Sequence, residues 1–232
     1  MEKNLRYGVM PSTISFQIRE PGAAITHFIA LLGIMAGYGP LIMRAKTFGG
    51  FWSVIGVCVF LITSGLLYAA SSLYHTVVLS KEKTKIFKKI DHMMISVMIA
   101  GSYTAVCVTV LRGHIGWILL AVIWAMALGG ILLKALWVTC PKWISSCLYL
   151  AMGWACVFAL VPLFHLLPHA AFFWLTAGGV MYSVGALIYA MKCKGFNERH
   201  IYFGTHEIFH CFIMAGTLCH YIFMYSTVAV WR

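Results

Sequence analysis

Seven long apolar runs, separated by short polar or basic segments, make up most of this chain. Each run has about 20 residues or more, which is the length that an α-helix needs to cross a hydrocarbon layer of roughly 30 Å. The pattern therefore predicts an all-α fold, a polytopic membrane protein built as a seven-transmembrane-helix bundle. The predicted spans are residues 23–43, 51–79, 91–111, 115–137, 144–164, 170–191 and 204–231.

The spans use most of the 232 residues and leave no room for a second globular domain. We predict one transmembrane domain over residues 21–232, preceded by an N-terminal segment, residues 1–20. This segment contains no apolar core followed by a cleavage site, so the first span is expected to anchor itself.

Isolated glycines within the spans are expected to mark faces where helices pack closely, because small residues let membrane helices approach one another. Such a glycine would be costly inside a helix of a soluble protein. The six positions are Gly33, Gly37, Gly101, Gly129, Gly153 and Gly185.

The composition excludes a water-soluble fold. Hydrophobic residues make up 62% of the chain and charged residues 10%, whereas soluble domains have about 45–50% and about 25%. The net charge of +11 comes from short basic clusters between apolar runs, so it predicts no nucleic-acid partner and instead marks topology in a lipid bilayer. Eight cysteines without a CxxC pair are expected to be free thiols.

Lysine and arginine are unevenly divided between the two sides of the predicted bundle, with 13 on the N-terminal side and 4 on the other. Cytoplasmic loops are rich in these residues, so we expect a multi-pass protein of the cell membrane with its N-terminus inside and its C-terminus outside. The 13 are Lys3, Arg6, Arg19, Lys81, Lys83, Lys85, Lys88, Lys89, Lys134, Lys142, Lys192, Lys194 and Arg199.

Ionisable residues inside a membrane are expensive and indicate function by default. His75 lies near the predicted cytoplasmic end of the second span, Asp91 opens the third, and His206 and His210 lie in the first turns of the seventh. The topology therefore predicts that these groups, from three helices, share one depth near the cytoplasmic face.

The spacing of these residues predicts a zinc site. His206 and His210 are four residues apart, so their imidazoles share one helical face, and Ser71 and His75 have the same spacing on the second span. Three histidines with a fourth position open to water are typical of catalytic zinc. We predict His75, His206 and His210 as the ligands, Asp91 as the base that orients the water, and Ser71 as a donor to that water.

Other interpretations of these residues remain open. Asp91 at a helix start is also typical of an N-cap. Residues 206–210 read His-Glu-Ile-Phe-His, the pattern of zinc metalloproteases, in which Glu207 would be the general base. Isolated histidines in membrane helices most often bond a backbone or hydroxyl partner. We expect this for His27, His92 and His220.

Several short stretches along nearly the whole chain form a specific signature. They are Ser71-Ser72-Leu73-Tyr74-His75, Ile90-Asp91-His92, Ile99-Ala100-Gly101-Ser102-Tyr103-Thr104, Tyr149-Leu150-Ala151-Met152-Gly153-Trp154, His206-Glu207-Ile208-Phe209-His210 and Cys219-His220. The chain resembles the hemolysin III proteins, bacterial members of the progestin and adiponectin receptor (PAQR) superfamily. It departs from the family pattern at Ala23, where Asn is frequent, and at Ala105, where Pro is frequent.

The resemblance implies a seven-helix bundle with its N-terminus inside and zinc held by the residues matching His75, His206 and His210. It also implies a water near the residues matching Ser71 and Asp91. Eukaryotic relatives are receptors and suspected lipid amidases, which by analogy predicts a zinc-dependent, ceramidase-like hydrolase of a lipid amide or ester.

Two other functional classes remain open. The first is a non-enzymatic membrane receptor, sensor or stress protein in which zinc is structural. The second is a pore-forming cytolysin, which should display a polar stripe along a span. The predicted spans are almost wholly apolar beyond their cytoplasmic third.

Overall fold

The computed structural model describes residues 17–191, 193–200 and 202–232, and the described residues form helices without strands. The α-helices are α1 Pro21–Phe48, α2 Phe51–Thr76, α3 Lys81–Thr109, α4 His114–Leu136, α5 Lys142–Trp154, α6 Leu160–Leu166, α7 His169–Ala190, α8 Lys194–Arg199 and α9 Thr205–Ser226. Short 3₁₀ segments cover Ala155–Ala159 and Val228–Val230.

Among the described residues, seven helices are long and apolar enough to cross a membrane, which confirms the predicted fold class. The fifth of them is composite, because α5, a 3₁₀ segment and α6 together cover Trp143–Leu166. The short helix α8 lies between the sixth and seventh crossings. The basic residues Lys3, Arg6 and Lys192 lie outside the described residues.

Hydrogen bonds between chain segments define the two ends of the bundle. At one end, the backbone N–H of Glu20 donates to the carbonyl of His75 at 3.0 Å, which joins the start of α1 to the last turn of α2. At the other end, the N–H of Gly50 donates to the carbonyl of Trp231 at 3.0 Å. We call the first the site end and the second the opposite end. The beginning of α1 and the C-terminus therefore lie at different ends.

Helix α3 begins ten residues before the predicted span. The Ser80 hydroxyl accepts a hydrogen bond from the N–H of Lys83 at 3.4 Å and caps the helix. Residues 81–90 contain five Lys and one Glu, which favour helix, so the basic cluster forms helical turns where a loop was expected. Asp91 therefore lies inside the helix, and its interpretation as an N-cap is wrong.

The fifth crossing is not the single straight helix that its apolar pattern predicts. The Tyr103 hydroxyl from α3 donates to the carbonyl of Gly153 at 2.6 Å and accepts from the N–H of Cys156 at 2.8 Å. A side chain inserted into the backbone hydrogen-bond ladder is a recognised cause of helix distortion. The 3₁₀ segment begins at this point, at Ala155.

Some of the predicted glycine positions do permit close helix packing. A Cβ atom at Gly101 would lie 2.0 Å from the Thr63 hydroxyl, so this position keeps α3 close to α2. Gly37 and Gly185 also meet neighbouring side chains, at 2.6 and 3.0 Å. The prediction is wrong for the remaining three, which have no such atom within 4 Å. These are Gly33, Gly129 and Gly153.

Candidate metal centre

Three histidines from two helices converge at the site end. His75 occupies the last turn of α2, and His206 and His210 lie in the first two turns of α9. One nitrogen from each ring lies within 4.8 Å of the other two. His75 and His210 are each only 2% exposed, and His206 is half-buried. We call these residues the three-histidine cluster.

The geometry of this cluster fits a zinc ion. The Nε2 atoms of His75 and His206 are 3.4 Å apart. Two nitrogens of a tetrahedral zinc with Zn–N bonds of 2.0–2.1 Å would be separated by about 3.3 Å. Three imidazoles leave a fourth position open, as in catalytic sites, whereas closed structural sites are mostly rich in cysteine.

Glu20, the residue immediately before α1, orients the ring of His75. Its carboxylate contacts His75 Nδ1 and accepts the proton there, so Nε2 keeps the lone pair that a metal requires. The side chain of Glu20 is 45% exposed, and its other oxygen lies 3.5 Å from Arg19 Nε. The hydrogen bond to His75 is the main reason that the pKa of Glu20 is below its usual value.

Thr26 orients His210 in a similar way. Its hydroxyl lies 3.0 Å from the carbonyls of Gly22 and Ala23, to which it donates. The same oxygen lies 3.1 Å from His210 Nδ1, so it accepts the ring proton and leaves Nε2 as the metal-facing atom. The first helix thus positions two of the three candidate ligands, one from α2 and one from α9.

His27 packs directly against a candidate ligand. Its ring stacks on that of His210, with centroids 3.5 Å apart and planes 11° from parallel. Within the described part of the chain, neither ring nitrogen of His27 has a hydrogen-bond partner, so the predicted backbone or hydroxyl partner is wrong. The prediction is confirmed for His92 Nδ1 on the Lys88 carbonyl at 2.7 Å and for His220 Nε2 on the Leu175 carbonyl at 3.2 Å.

Asp91 and Ser71 line the same cavity as the three-histidine cluster, and their side chains are buried. Asp91 does not belong to the group of mutually close donor atoms, which agrees with a role other than that of a ligand. One of its oxygens lies 3.6 Å from His92 Nδ1, but the proton on that nitrogen is directed to the Lys88 carbonyl. Ser71 lies one turn from His75 on α2.

Glu207 has a local structural role. Its carboxylate accepts a hydrogen bond from the backbone N–H of Gly204 at 2.8 Å and so caps the start of α9. This contact satisfies one of the amides that the first turn of a helix leaves unpaired. The geometry therefore offers no specific support for Glu207 as the base of a metalloprotease.

A large cavity connects this centre with the interior of the bundle. Its volume is about 530 Å³, within the range of sites that enclose small organic ligands. It extends from Glu20 and the three-histidine cluster to Leu111 and Leu119, near the opposite end, and most of its wall is apolar. Its extent and its apolar lining are suited to a hydrocarbon chain.

The first-helix contributors to the site were not identified by the sequence reasoning. Glu20, Thr26 and His27 fall at the start of the first span, which the predicted topology already places at the same end as the other polar groups. Their spacing of six and one residues forms no recognised ligand pattern. Their shared depth with the other polar groups is the structural signal that could have indicated them.

The chain is similar to known proteins over nearly its whole length. Residues 16–221, which include every candidate site residue, match the family model described as "Haemolysin-III related". The Hemolysin-3 homolog of Bacillus subtilis (strain 168) is 37% identical over 203 residues, which cover 87% of this chain and 91% of that relative. Hemolysin-3 of Bacillus cereus is 35% identical over 208 residues, which cover 90% and 91%.

Proposed function

Because this chain belongs to the haemolysin-III-related family of membrane proteins, we propose that it is a zinc-binding membrane hydrolase acting on a lipid amide or ester. The observation that supports this proposal is the position of the three-histidine cluster at the polar end of an apolar cavity of about 530 Å³. This arrangement brings a candidate zinc site and a space for a hydrocarbon chain together in one bundle.

The proposed ligands are His75, His206 and His210. Glu20 holds His75 and Thr26 holds His210, each through the outer nitrogen of the ring. Zinc, when bound, supplies a Lewis acid that polarises a carbonyl group and makes water more acidic. The nearly complete burial of His75 and His210 removes competing water from two sides of the site.

Asp91 is the proposed base. Its buried carboxylate lines the cavity and is not the principal acceptor of the His92 proton, so it can accept a proton from the attacking water. Ser71 is proposed to position the same water through its hydroxyl, one turn from His75. A base placed in this way typically contributes roughly 10²–10⁴-fold to the rate.

The test compares the wild type with Asp91→Asn, which preserves the shape of the side chain and removes the base. We expect zinc to remain bound, with an affinity loss of at most about 10–100-fold, and fatty-acid release from lipid amides or esters to fall roughly 10²–10⁴-fold. Glu82→Gln is the matched control, because Glu82 is exposed in the first turn of α3. Equal turnover by a zinc-loaded Asp91→Asn protein would reject Asp91 as the base.

The alternative in which zinc is structural, in a receptor, sensor or stress protein, has one specific observation in its favour. The cluster joins the end of α2 to the start of α9, so an ion there would hold two helices together. On this hypothesis, removing zinc lowers the melting temperature, while the zinc-loaded wild type releases no fatty acid from any lipid amide or ester. That result would reject the hydrolase.

A cytolytic pore is the least supported class. The names of the two bacterial relatives refer to haemolysis, but the large cavity of this chain has a mostly apolar wall. An aqueous channel needs polar groups along its length. Release of a small dye from vesicles by purified protein would support a pore, and we expect no release.

A further inference from the structure

A second cavity, of about 250 Å³, lies at the site end between α3, α4, α7 and the start of α5. We call it the cationic pocket, because the described residues of its wall include Lys88, Lys134 and His92 and no acidic residue. Hydroxyl groups are also present, from Ser145 and Thr139. Its lining thus differs in charge from that of the larger apolar cavity.

Lys134 is the most unusual member of this wall. It is one of the 13 basic residues on the N-terminal side, although the predicted span 115–137 contains it. In the structure it lies in the last turn of α4 and is only 2% exposed. Its ammonium group donates to the hydroxyl of Ser145 and to the thiol of Cys140, the latter at 3.1 Å. Within the described part of the chain, no carboxylate lies within 4 Å of it.

A buried ammonium group without a counter-ion is unfavourable, and such groups in membrane proteins by default indicate a functional site. The group has three N–H donors, of which Ser145 and Cys140 occupy two. One donor therefore remains for an anion. Neither protein partner is a carboxylate, so the ammonium group has no acidic counter-ion among the described residues.

Other features of the pocket also contribute positive charge. Lys88 is half-buried in the wall, and within the described residues its ammonium group also has no carboxylate within 4 Å. Helix α5 begins at the pocket, since Pro141 precedes its first residue and Ser145 lies in its first turns. The N-terminus of a helix has a partial positive charge. Two lysines and a helix start together suit a group with more than one negative charge, such as phosphate.

The cationic pocket also adjoins the large cavity. Lys88, His92 and Tyr189 line both spaces, so a single layer of side chains separates them. Basic pockets between membrane helices are known binding sites for anionic lipid head groups. A lipid with its chain in the apolar cavity can therefore place a phosphate against Lys134 while its ester group lies near the histidines.

We propose that the cationic pocket binds the phosphate of an anionic phospholipid whose acyl chain occupies the large cavity. The place of the acyl chain rests on the proposed function, whereas phosphate binding requires no hydrolysis. The pocket would thus make a phosphate-bearing lipid ester the preferred substrate class.

The test measures binding to the full-length protein in neutral detergent by native mass spectrometry. The probes are dioctanoyl phosphatidic acid, dioctanoylglycerol with the same chains but no phosphate, and inorganic phosphate. We expect the wild type to bind phosphatidic acid at least tenfold more tightly than dioctanoylglycerol. Lys134→Met should lose this preference. Lys85→Met should keep it, because Lys85 is exposed one turn before Lys88.

Lys88→Met and Lys134→Arg keep the proposal testable if Lys134→Met fails to fold. Lys88→Met should reduce the preference for phosphatidic acid over dioctanoylglycerol. Lys134→Arg should retain most of this preference because the positive charge remains. Unchanged preference in a folded Lys134→Met or Lys88→Met protein would overturn the proposal. Binding of inorganic phosphate as tight as that of phosphatidic acid would assign the pocket to soluble phosphate and overturn the lipid assignment.

The same measurement on Asp91→Asn separates this inference from the proposed function. This variant should retain the preference for phosphatidic acid even though it lacks the proposed base. Loss of turnover with retained preference supports both proposals. If the wild type hydrolyses lipid but binds phosphatidic acid no more tightly than dioctanoylglycerol, the proposed hydrolase is retained and the proposed phosphate site is rejected.

Discussion

Replacing Glu20 by Gln tests whether the first helix tunes the metal centre. The amide retains an oxygen that can accept the Nδ1–H of His75, but it removes the negative charge that makes Nε2 a better ligand. Changes to such outer partners typically weaken metal binding by 10–100-fold. Because Glu20 is 45% exposed and water screens its charge, we expect the lower limit, about tenfold, or about 1.4 kcal/mol.

Glu20→Ala should have a larger effect. It removes the acceptor itself, so the almost fully buried Nδ1–H of His75 loses its partner and the ring is free to reorient. A buried donor left unsatisfied costs about 1–3 kcal/mol. We therefore expect a loss of zinc affinity toward the upper limit, about 100-fold.

The assay is competition between the purified protein and a calibrated zinc chelator in detergent. Glu198→Gln is the matched control, since Glu198 is exposed on α8 and the same charge is lost there. Melting temperatures should be recorded for every variant, so that loss of fold is distinguished from loss of affinity. The expected order of affinity is wild type and Glu198→Gln first, then Glu20→Gln, then Glu20→Ala.

Equal zinc affinity in the wild type and in both Glu20 variants would show that the contact with His75 has no influence on the metal. If Glu198→Gln loses as much zinc affinity as Glu20→Gln, the loss is explained by the change in the protein's net charge and not by the contact with His75. Either result refutes the assignment of Glu20 as an orienting partner.

Three further predictions concern the metal content, the orientation in the membrane and the packing of one glycine. Purified wild type should contain about one zinc per chain by elemental analysis, and replacing all three members of the three-histidine cluster by Ala should abolish it; a metal-free wild type after zinc-replete growth would contradict this. A reporter fused at Arg232 should be active outside the cytoplasm, and activity only inside would reverse the proposed orientation. Gly178→Ala should lower the melting temperature, by an amount corresponding to about 1–3 kcal/mol, because its Cβ would lie 2.2 Å from the His220 ring; the control Gly179→Ala, with no neighbour within 4 Å, should not.

The membrane-spanning helices could be predicted from the sequence because a bilayer permits few other backbone conformations. Backbone N–H and C=O groups in hydrocarbon must form hydrogen bonds within the protein, so a run of about 20 apolar residues is expected to form a helix. That constraint weakens where the chain leaves the apolar layer. The start of α3 at Lys81 was missed because its first turns depend on a Ser80 cap and helix propensity, not on hydropathy.

The convergence of the candidate ligands was predictable, but the partners that orient them were not. His206 and His210 are related by helical spacing, and the alternation of spans brings His75 to the same end. Thr26 contacts His210 across 184 positions of sequence, and no local pattern encodes that pair. The side-chain insertion of Tyr103 into the fifth crossing is likewise a tertiary contact, so an apolar run alone predicts an unbroken helix there.

The depth of the candidate centre provides an argument for its chemistry. His210 is the sixth residue of α9, so at 1.5 Å per residue the cluster lies within roughly 9 Å of the helix start. In a bilayer, the interfacial layer on each side adds several ångströms to the hydrocarbon core. On the proposed topology, with the start of α9 at the membrane surface, this depth is near the boundary between the two. The ester or amide group of a lipid joins its polar part to its acyl chains and therefore belongs at such a boundary. A polar site confined to this depth, above an apolar cavity, suits cleavage of that group, whereas a pore would need polar side chains continuing to the opposite end.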